Sequence, residues 1–407
     1  EVQRLVNSIQ PFEITKNIWW EAAAPGTTVP HGLTSVPLQF AQAILQDTGL
    51  SYVAIQAILF WLLLFMMGYG MFLVGLSVFG NQKIGLAILA GLFYMFNPYM
   101  MIQVWHRFVH TTFFLAAALP FIFLFWRSWI KKGTYQSLFL FLLINFLAVY
   151  LYGTLAFIAT ILIILVFISL FEILFPWNGF YTLRIISLRF IIGFVFWVLI
   201  HSWWMLPSFN VAPAIFSTQH TVGENLTTLY TISQQAIIPY SLLGINPFYI
   251  YEQLDWGKIY ESPFFRFLPW LSLLFLVPGF IKSLTKKGLL IWSILLIVGL
   301  LLAKGAAAPF GYIYIFGFSN FFTLGILRNP YEKLGILIPF SMSILLAIGI
   351  SWYLETVKYK FKSFLKVGIG FLLVILLGVN LWPMWLGKMF GKYDKLAFVE
   401  VPQSYLQ

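Results

Sequence analysis

Late in the chain the sequence reads Leu327-Arg328-Asn329-Pro330-Tyr331-Glu332-Lys333. These residue types fit a helix start. Asparagine is a good N-cap, proline suits the first helical position, and Glu332, three residues past the cap, fits a capping box. Arg328 then stands just before a helix N-terminus, where free N–H groups and the positive end of the dipole favour an anion. Its guanidinium adds a fork that matches a phosphate. The chemistry on offer is phosphate binding at headgroup depth. Glu332 partly opposes it, though capping would occupy its carboxylate. The plainer reading is an arginine that reaches ordinary lipid headgroups.

A second set of groups lies near the start. Trp19 and Trp20 precede Glu21, with Glu13 upstream and His31 after a Pro/Gly-broken stretch. Aromatic pairs beside a carboxylate suit a sugar: rings stack on its apolar face and the carboxylate takes a hydroxyl. An interfacial aromatic belt is the competing account of the tryptophans, and solvated loop positions that of the two glutamates. His31 reads as a hydrogen-bonded loop residue or a catalytic one. His106 and Arg107, with His110 one helical turn after His106, either face a shared cavity or anchor helix ends. Glu172, His201 and Trp203-Trp204 read as structural. Asn225-Leu226-Thr227 matches a glycosylation sequon, a frequent chance match. Cysteine is absent, which removes disulfides and thiolate metal sites. No His/Asp/Glu pair in segment 207–264 has metal-ligand spacing, and no residue is assigned to a metal. A divalent cation held by scattered carboxylates stays open as the one cofactor.

The elements that must position these groups are apolar. Of 407 residues, 61% are hydrophobic, 20% aromatic and only 9% charged. Apolar blocks of about 20 residues, the length of a bilayer crossing, recur from Tyr52 to Leu386. They predict an all-α polytopic transmembrane bundle of ten spans: 53–79, 84–103, 108–128, 135–152, 154–175, 190–206, 265–281, 288–303, 334–354 and 367–386. A turn at Tyr152-Gly153-Thr154 separates the fourth and fifth. Residues 1–52 read as a first outer loop. Residues 53–386 read as the core, with outer segments 207–264 and 304–333, and residues 387–407 begin an outer C-terminal region. The aromatic run 309–322 reads as an interfacial or re-entrant helix. An outer start at Glu1 predicts a signal or span upstream, and the polar end predicts a further region downstream.

Charge sets the orientation. Thirteen basic residues (Lys83, Arg127, Lys131, Lys132, Arg184, Arg189, Lys282, Lys286, Lys287, Lys358, Lys360, Lys362 and Lys366) fall on one side of this alternation, with only Glu172 and Glu355 as acids. That side carries the whole net +11, while the other holds the remaining eleven of each sign. This is the positive-inside pattern, and it displaces nucleic-acid binding as the reason for a basic chain. The cytoplasmic loops are short and carry no Walker-type phosphate loop. The polar chemistry therefore belongs to the extracytoplasmic face.

The first outer loop with Trp and Gly-Pro punctuation, the many spans, and the late Lys304-Gly305 … Pro309-Phe310-Gly311 … Leu327-Arg328-Asn329-Pro330-Tyr331-Glu332-Lys333 segment resemble GT-C-type membrane glycosyltransferases. The nearest likeness is the membrane core of large α-(1→3)-arabinofuranosyltransferase-type proteins. It extends thinly from Trp19 to Lys333. An Arg-x-Pro-x-Lys-like element falls here on Arg328, Pro330 and, offset by one, Lys333. The resemblance implies a multi-pass cell-membrane enzyme with an extracytoplasmic site and a polyprenyl-phosphate sugar donor. The acceptor would be a glycan, lipid or protein, with membrane lipids as the other partners. It also implies a catalytic carboxylate in the first outer loop. The chain departs from the pattern in lacking the expected first span and any Asp before Asp47, which leaves Glu21 and Glu13 as stand-ins. The function expected is sugar transfer. The alternatives are a transporter or flippase for a lipid-linked or polymer precursor, and a non-catalytic envelope-assembly subunit.

Overall fold

The computed structural model describes residues 19–20, 27–28, 30–106, 109–175, 182–219, 222–243, 262–357, 362–379 and 381–386. Among these the chain is helical. The one β pairing among them sets Trp19 against Thr28 and Trp20 against Thr27, antiparallel. Six helices are long and apolar enough to cross a membrane: Tyr52–Phe79, His110–Lys132, Ala156–Leu174, Leu183–Phe209, Pro263–Leu284 and Leu337–Thr356. Shorter apolar helices are Tyr135–Leu147, Lys287–Ala303 and Lys366–Val379. At ~1.5 Å per residue a helix of this shorter class reaches roughly 20–25 Å, against an apolar layer of ~30 Å.

The chain forms two compact units, and passes from one to the other within helix Tyr52–Phe79. The first comprises Glu1–Met66 and His110–Thr221, the second Met67–Val109 and Val222–Phe398. In the first unit Trp126, Trp197, Trp204 and Tyr152 are fully buried. Their polar atoms find partners inside the apolar packing. Trp126 Nε1 donates to the Leu165 carbonyl at 3.0 Å. Tyr152 Oη donates to Asn145 Oδ1 at 2.6 Å, and Trp197 Nε1 reaches the same oxygen at 3.1 Å. Charges are paired where helices end. Arg127 Nε donates to Glu172 Oε1 at 2.7 Å, so the buried Glu172 is structural. Arg189 Nη1 donates to the carbonyls of Ile130 and Lys131 at 2.8 and 2.9 Å, capping the end of helix His110–Lys132. Gly133 follows with φ +69, and a Cβ there would lie 2.4 Å from Arg189 Nη2. Only glycine fits both demands.

The second unit is held by close helix crossings at small residues. A Cβ on Gly279 would sit 1.9 Å from the Leu345 carbonyl oxygen, and one on Gly349 would sit 1.9 Å from that of Phe275. Helices Leu273–Leu284 and Leu337–Thr356 therefore touch backbone to backbone. Gly91 meets the Gly68 carbonyl in the same way at 2.8 Å. Without a hydrophobic force between helices in lipid, such contacts supply the packing attraction. At one end of this unit Glu355 accepts from Lys83 and Lys282, each at 2.6 Å.

Several expected spans are broken or extended. Span 84–103 divides into helix Ile84–Met95 and a π-helical turn Met100–His106. Pro98 disfavours helical geometry at Asn97. Asn97 then serves both ends. Its Nδ2 donates to the carbonyls of Phe93 and Tyr94, and its Oδ1 accepts from Met100 N–H at 3.0 Å. His106 and His110 thus belong to different helices, not to successive turns of one. The segment 207–264 is not one long loop. Helix Thr182–Gln219 runs on through Pro207, and helices Val222–Gln235 and Ile238–Leu243 follow. The helix of span 334–354, expected to start at Pro330, starts instead at Leu337. A separate helix Pro330–Leu334 precedes it. Pro339 lacks the N–H that would bond the Gly335 carbonyl, so a continuous helix is interrupted there.

Gly349→Ala forces a methyl group into the Phe275 carbonyl. It should cost about 1–3 kcal/mol of stability, as overpacked contacts do, and lower the thermal midpoint in detergent. Gly85→Ala, where a Cβ meets nothing within 4 Å, is the control. Equal midpoints for the two variants would contradict the crossing.

Candidate functional site

The site builds on the turn from Leu327 to Lys333. Asn329 is the N-cap of helix Pro330–Leu334, and its Oδ1 accepts from Glu332 N–H at 3.3 Å. Its Nδ2 donates to Glu332 Oε2 at 2.8 Å, and the Lys333 ammonium bonds Glu332 Oε1. Both oxygens of Glu332 are thus engaged. The carboxylate reaches the cap's side-chain amide, a local variant of the expected box. The helix is only five residues long, so its dipole adds little to anion binding, contrary to the picture of Arg328 heading a full span. What the turn does offer is Arg328 itself. It is half-buried, and its guanidinium makes no hydrogen bond or ion pair among the described residues.

Other residues of the second unit brace this turn. Tyr99 Oη donates to the Glu332 carbonyl at 3.3 Å, and the Tyr99 ring meets that of Tyr331 edge-on at 5.5 Å. Gly305, at φ +59, lets the chain pass beside Ser233 and Pro330, where a Cβ would come within 2.4 and 2.6 Å. Ser233 Oγ accepts from Ala306 N–H at 2.8 Å. Asn225 is buried against Gly325. A helical, buried asparagine is a poor glycosylation acceptor, so the sequon is a chance match. Lys304 is 1% exposed and bonds the Ala307 carbonyl. Burial pushes its ammonium below the usual lysine range.

The same loop mounts an aromatic helix. Phe310 adopts φ 64, rare outside glycine, and Gly311 lies so close to the Ala306 carbonyl that a Cβ would be 1.9 Å from its oxygen. Helix Gly311–Asn320 follows, with Phe310, Tyr312, Ile313 and Phe316 exposed and Phe318 buried. At ten residues it is too short to cross a bilayer.

A small apolar cavity of about 30 Å³ lies at the Asn97 break, lined by Phe93, Tyr99, Leu243, Pro339 and Met342 among others. Tyr99 links it to the Tyr331–Glu332 backbone. The polar groups at this cavity are few, and Asn97 spends its amide on the two helix ends.

Arg328 and Lys333 thus share one braced turn, with Lys333 committed to Glu332. Glu13, Glu21 and Arg107 lie outside the described residues. So do the side chains of Trp19, Trp20, His31 and His106. The 3-10 turn Pro30–Ser35, which carries His31, belongs to the first unit, where a Cβ on Gly153 would lie 3.1 Å from Thr34 Oγ1. Among the described residues no three His, Asp or Glu side chains group in a way that could hold a metal. Sequence reasoning missed Lys304, Ser233, Asn225 and Tyr99. Their roles depend on contacts across distant segments, and only the motif Lys304-Gly305 left a local trace.

No family model, curated protein or solved structure matches the chain.

Tyr331 is fully buried, and its hydroxyl has no hydrogen-bond partner among the described residues. An unsatisfied buried hydroxyl costs roughly 1–3 kcal/mol. Tyr331→Phe should therefore hold or raise the thermal midpoint. A fall of several degrees would show that this hydroxyl is satisfied in the folded protein.

Proposed function

We propose that this chain is the membrane core of a glycosyltransferase. It would move a sugar from a polyprenyl-phosphate donor to an extracytoplasmic glycan, lipid or protein acceptor. The observation that carries the reading is Arg328: a half-exposed guanidinium on a braced turn whose one carboxylate is already taken by Asn329 and Lys333. Such a group is prepared for an anion. Arg328 would bind the donor phosphate and stabilise the charge that builds as the sugar leaves. Glu21 or Glu13 would act as general base on the acceptor hydroxyl, with Trp19 and Trp20 stacking on the sugar. The aromatic helix Gly311–Asn320 would lie in the outer leaflet beside the phosphate, its exposed rings at interface depth.

The reading places ten spans in the cell membrane with the site outside. Contacts within the second unit support this alternation. Lys83, Lys282 and Glu355 meet one another, and all three fall on the charge-assigned cytoplasmic side. Segments 207–264 and 304–333, both assigned outside, meet as well, through Ser233 and Ala306, and Tyr99, near the outer end of the expected span 84–103, meets Glu332.

A transporter is the second reading, and the helix break at Asn97 favours it, since transporters build sites at interrupted helices. The break offers a substrate little, however. Asn97, Ser272 and Tyr99 are occupied with backbone hydrogen bonds, and the rest of the lining is apolar.

In the full-length protein supplied with a panel of polyprenyl-phosphate sugars, Arg328→Ala should lower turnover by ~10²–10³-fold, the scale for losing one such charge-stabilising group. Arg328→Lys should recover part of it, because the fork is lost while the charge stays. Turnover unchanged in Arg328→Ala would remove Arg328 from the site, and a panel in which no donor is consumed would favour transport. The chain has no cysteine, so orientation is testable by single-cysteine labelling in intact cells. An impermeant reagent should label Thr227→Cys and not Lys286→Cys, and the reverse pattern would invert the topology.

A further inference from the structure

At one end of the second unit a lysine patch stands that sugar transfer does not use. Glu355 Oε1 accepts from Lys83 Nζ at 2.6 Å and from Ser351 Oγ at 2.9 Å, and Oε2 accepts from Lys282 Nζ at 2.6 Å. One carboxylate is shared between two ammonium groups. Lys286 and Lys287 follow Lys282 in the next turn, both exposed and in no ion pair among the described residues. Four lysines against one glutamate leave a local net of +3.

Helix stability accounts for Lys282, in the last turn of helix Leu273–Leu284, but not for the other three. Lys83 immediately precedes helix Ile84–Met95, and Lys286 and Lys287 open helix Lys287–Ala303. A cation at a helix N-terminus is opposed by the dipole. Their surroundings point elsewhere. Ile84 beside Lys83, and Ile281 and Leu284 on either side of Lys282, are each about half exposed. Trp352, next to Ser351 and three residues before Glu355 on the same helix, is exposed as well. The lysines therefore stand where a lipid-facing apolar surface ends, which is the depth of phospholipid headgroups. A soluble acidic partner would match the charge but would leave Ile281 and Leu284 uncovered.

We infer that this end of the second unit is a docking surface for anionic phospholipid headgroups. Lys286 and Lys287 are its free cations, and the Glu355 hub holds Lys83 and Lys282 beside them. Each lysine near an anionic surface is worth on the order of fivefold in binding. The attraction weakens as salt shortens its range.

The test is native mass spectrometry of the purified full-length protein, released from nanodiscs of equal phosphatidylglycerol and phosphatidylcholine. The parent should retain phosphatidylglycerol preferentially, and less so as salt rises. The exposed double variant Lys286→Gln/Lys287→Gln should lower the preference by roughly fivefold per lysine. Gln82→Lys, an added exposed charge beside Lys83, should raise it by a similar factor. The proposal is overturned if the parent retains both lipids equally, if the double variant keeps the parental preference, or if salt has no effect.

Discussion

One constraint governs this chain: an apolar solvent leaves every polar group to find its partner inside the protein. The helices satisfy most of the backbone on their own. The remainder appears wherever a helix ends or breaks, and there the sequence supplies a side chain to finish the work. Asn97 closes both ends of an interrupted helix with one amide. Arg189 takes the last carbonyls of helix His110–Lys132. Glu172 is buried only because Arg127 meets it. Asn329 caps the turn that carries Arg328.

That constraint also gives the candidate site its meaning. Several described charges are matched: Arg127 with Glu172, Lys333 with Glu332, Lys83 and Lys282 with Glu355. Arg328 is half-buried and makes no such pair among the described residues. It shares its turn with a carboxylate whose two oxygens are each bonded, to Asn329 and Lys333, and that turn is fixed by Tyr99, Ser233 and the Gly305 passage. A rigid frame around one uncommitted guanidinium is what an anion site needs, because little ordering remains to be done on binding. The five-residue helix beneath it adds little dipole, so the arginine itself and the shape of the turn carry the chemistry.

Much of this was legible in the sequence, and the boundary is instructive. Long apolar runs announced the helices because the signal is local and strong. The Asn329 cap and the role of Glu332 were readable because both partners lie within four residues. Glu172 read as structural and is so. The breaks were harder. Pro98 and Pro339 were visible, but whether a proline interrupts a helix or is absorbed, as Pro207 is, depends on what packs around it. The polar stretch 207–243 hid three helical elements because its composition resembles a loop. Lys304 was visible only as part of the Lys304-Gly305 motif, and its burial and its bond to the Ala307 carbonyl are not encoded by any local pattern.

The central claim is that Arg328 holds a lipid-linked phosphate. The most direct measurement is a cryo-EM structure of the full-length protein in nanodiscs with a non-transferable polyprenyl-phosphate sugar analogue. The account predicts phosphate density within hydrogen-bond distance of the Arg328 guanidinium. A bound analogue whose phosphate lies elsewhere, with Arg328 facing only bulk lipid headgroups, would contradict it.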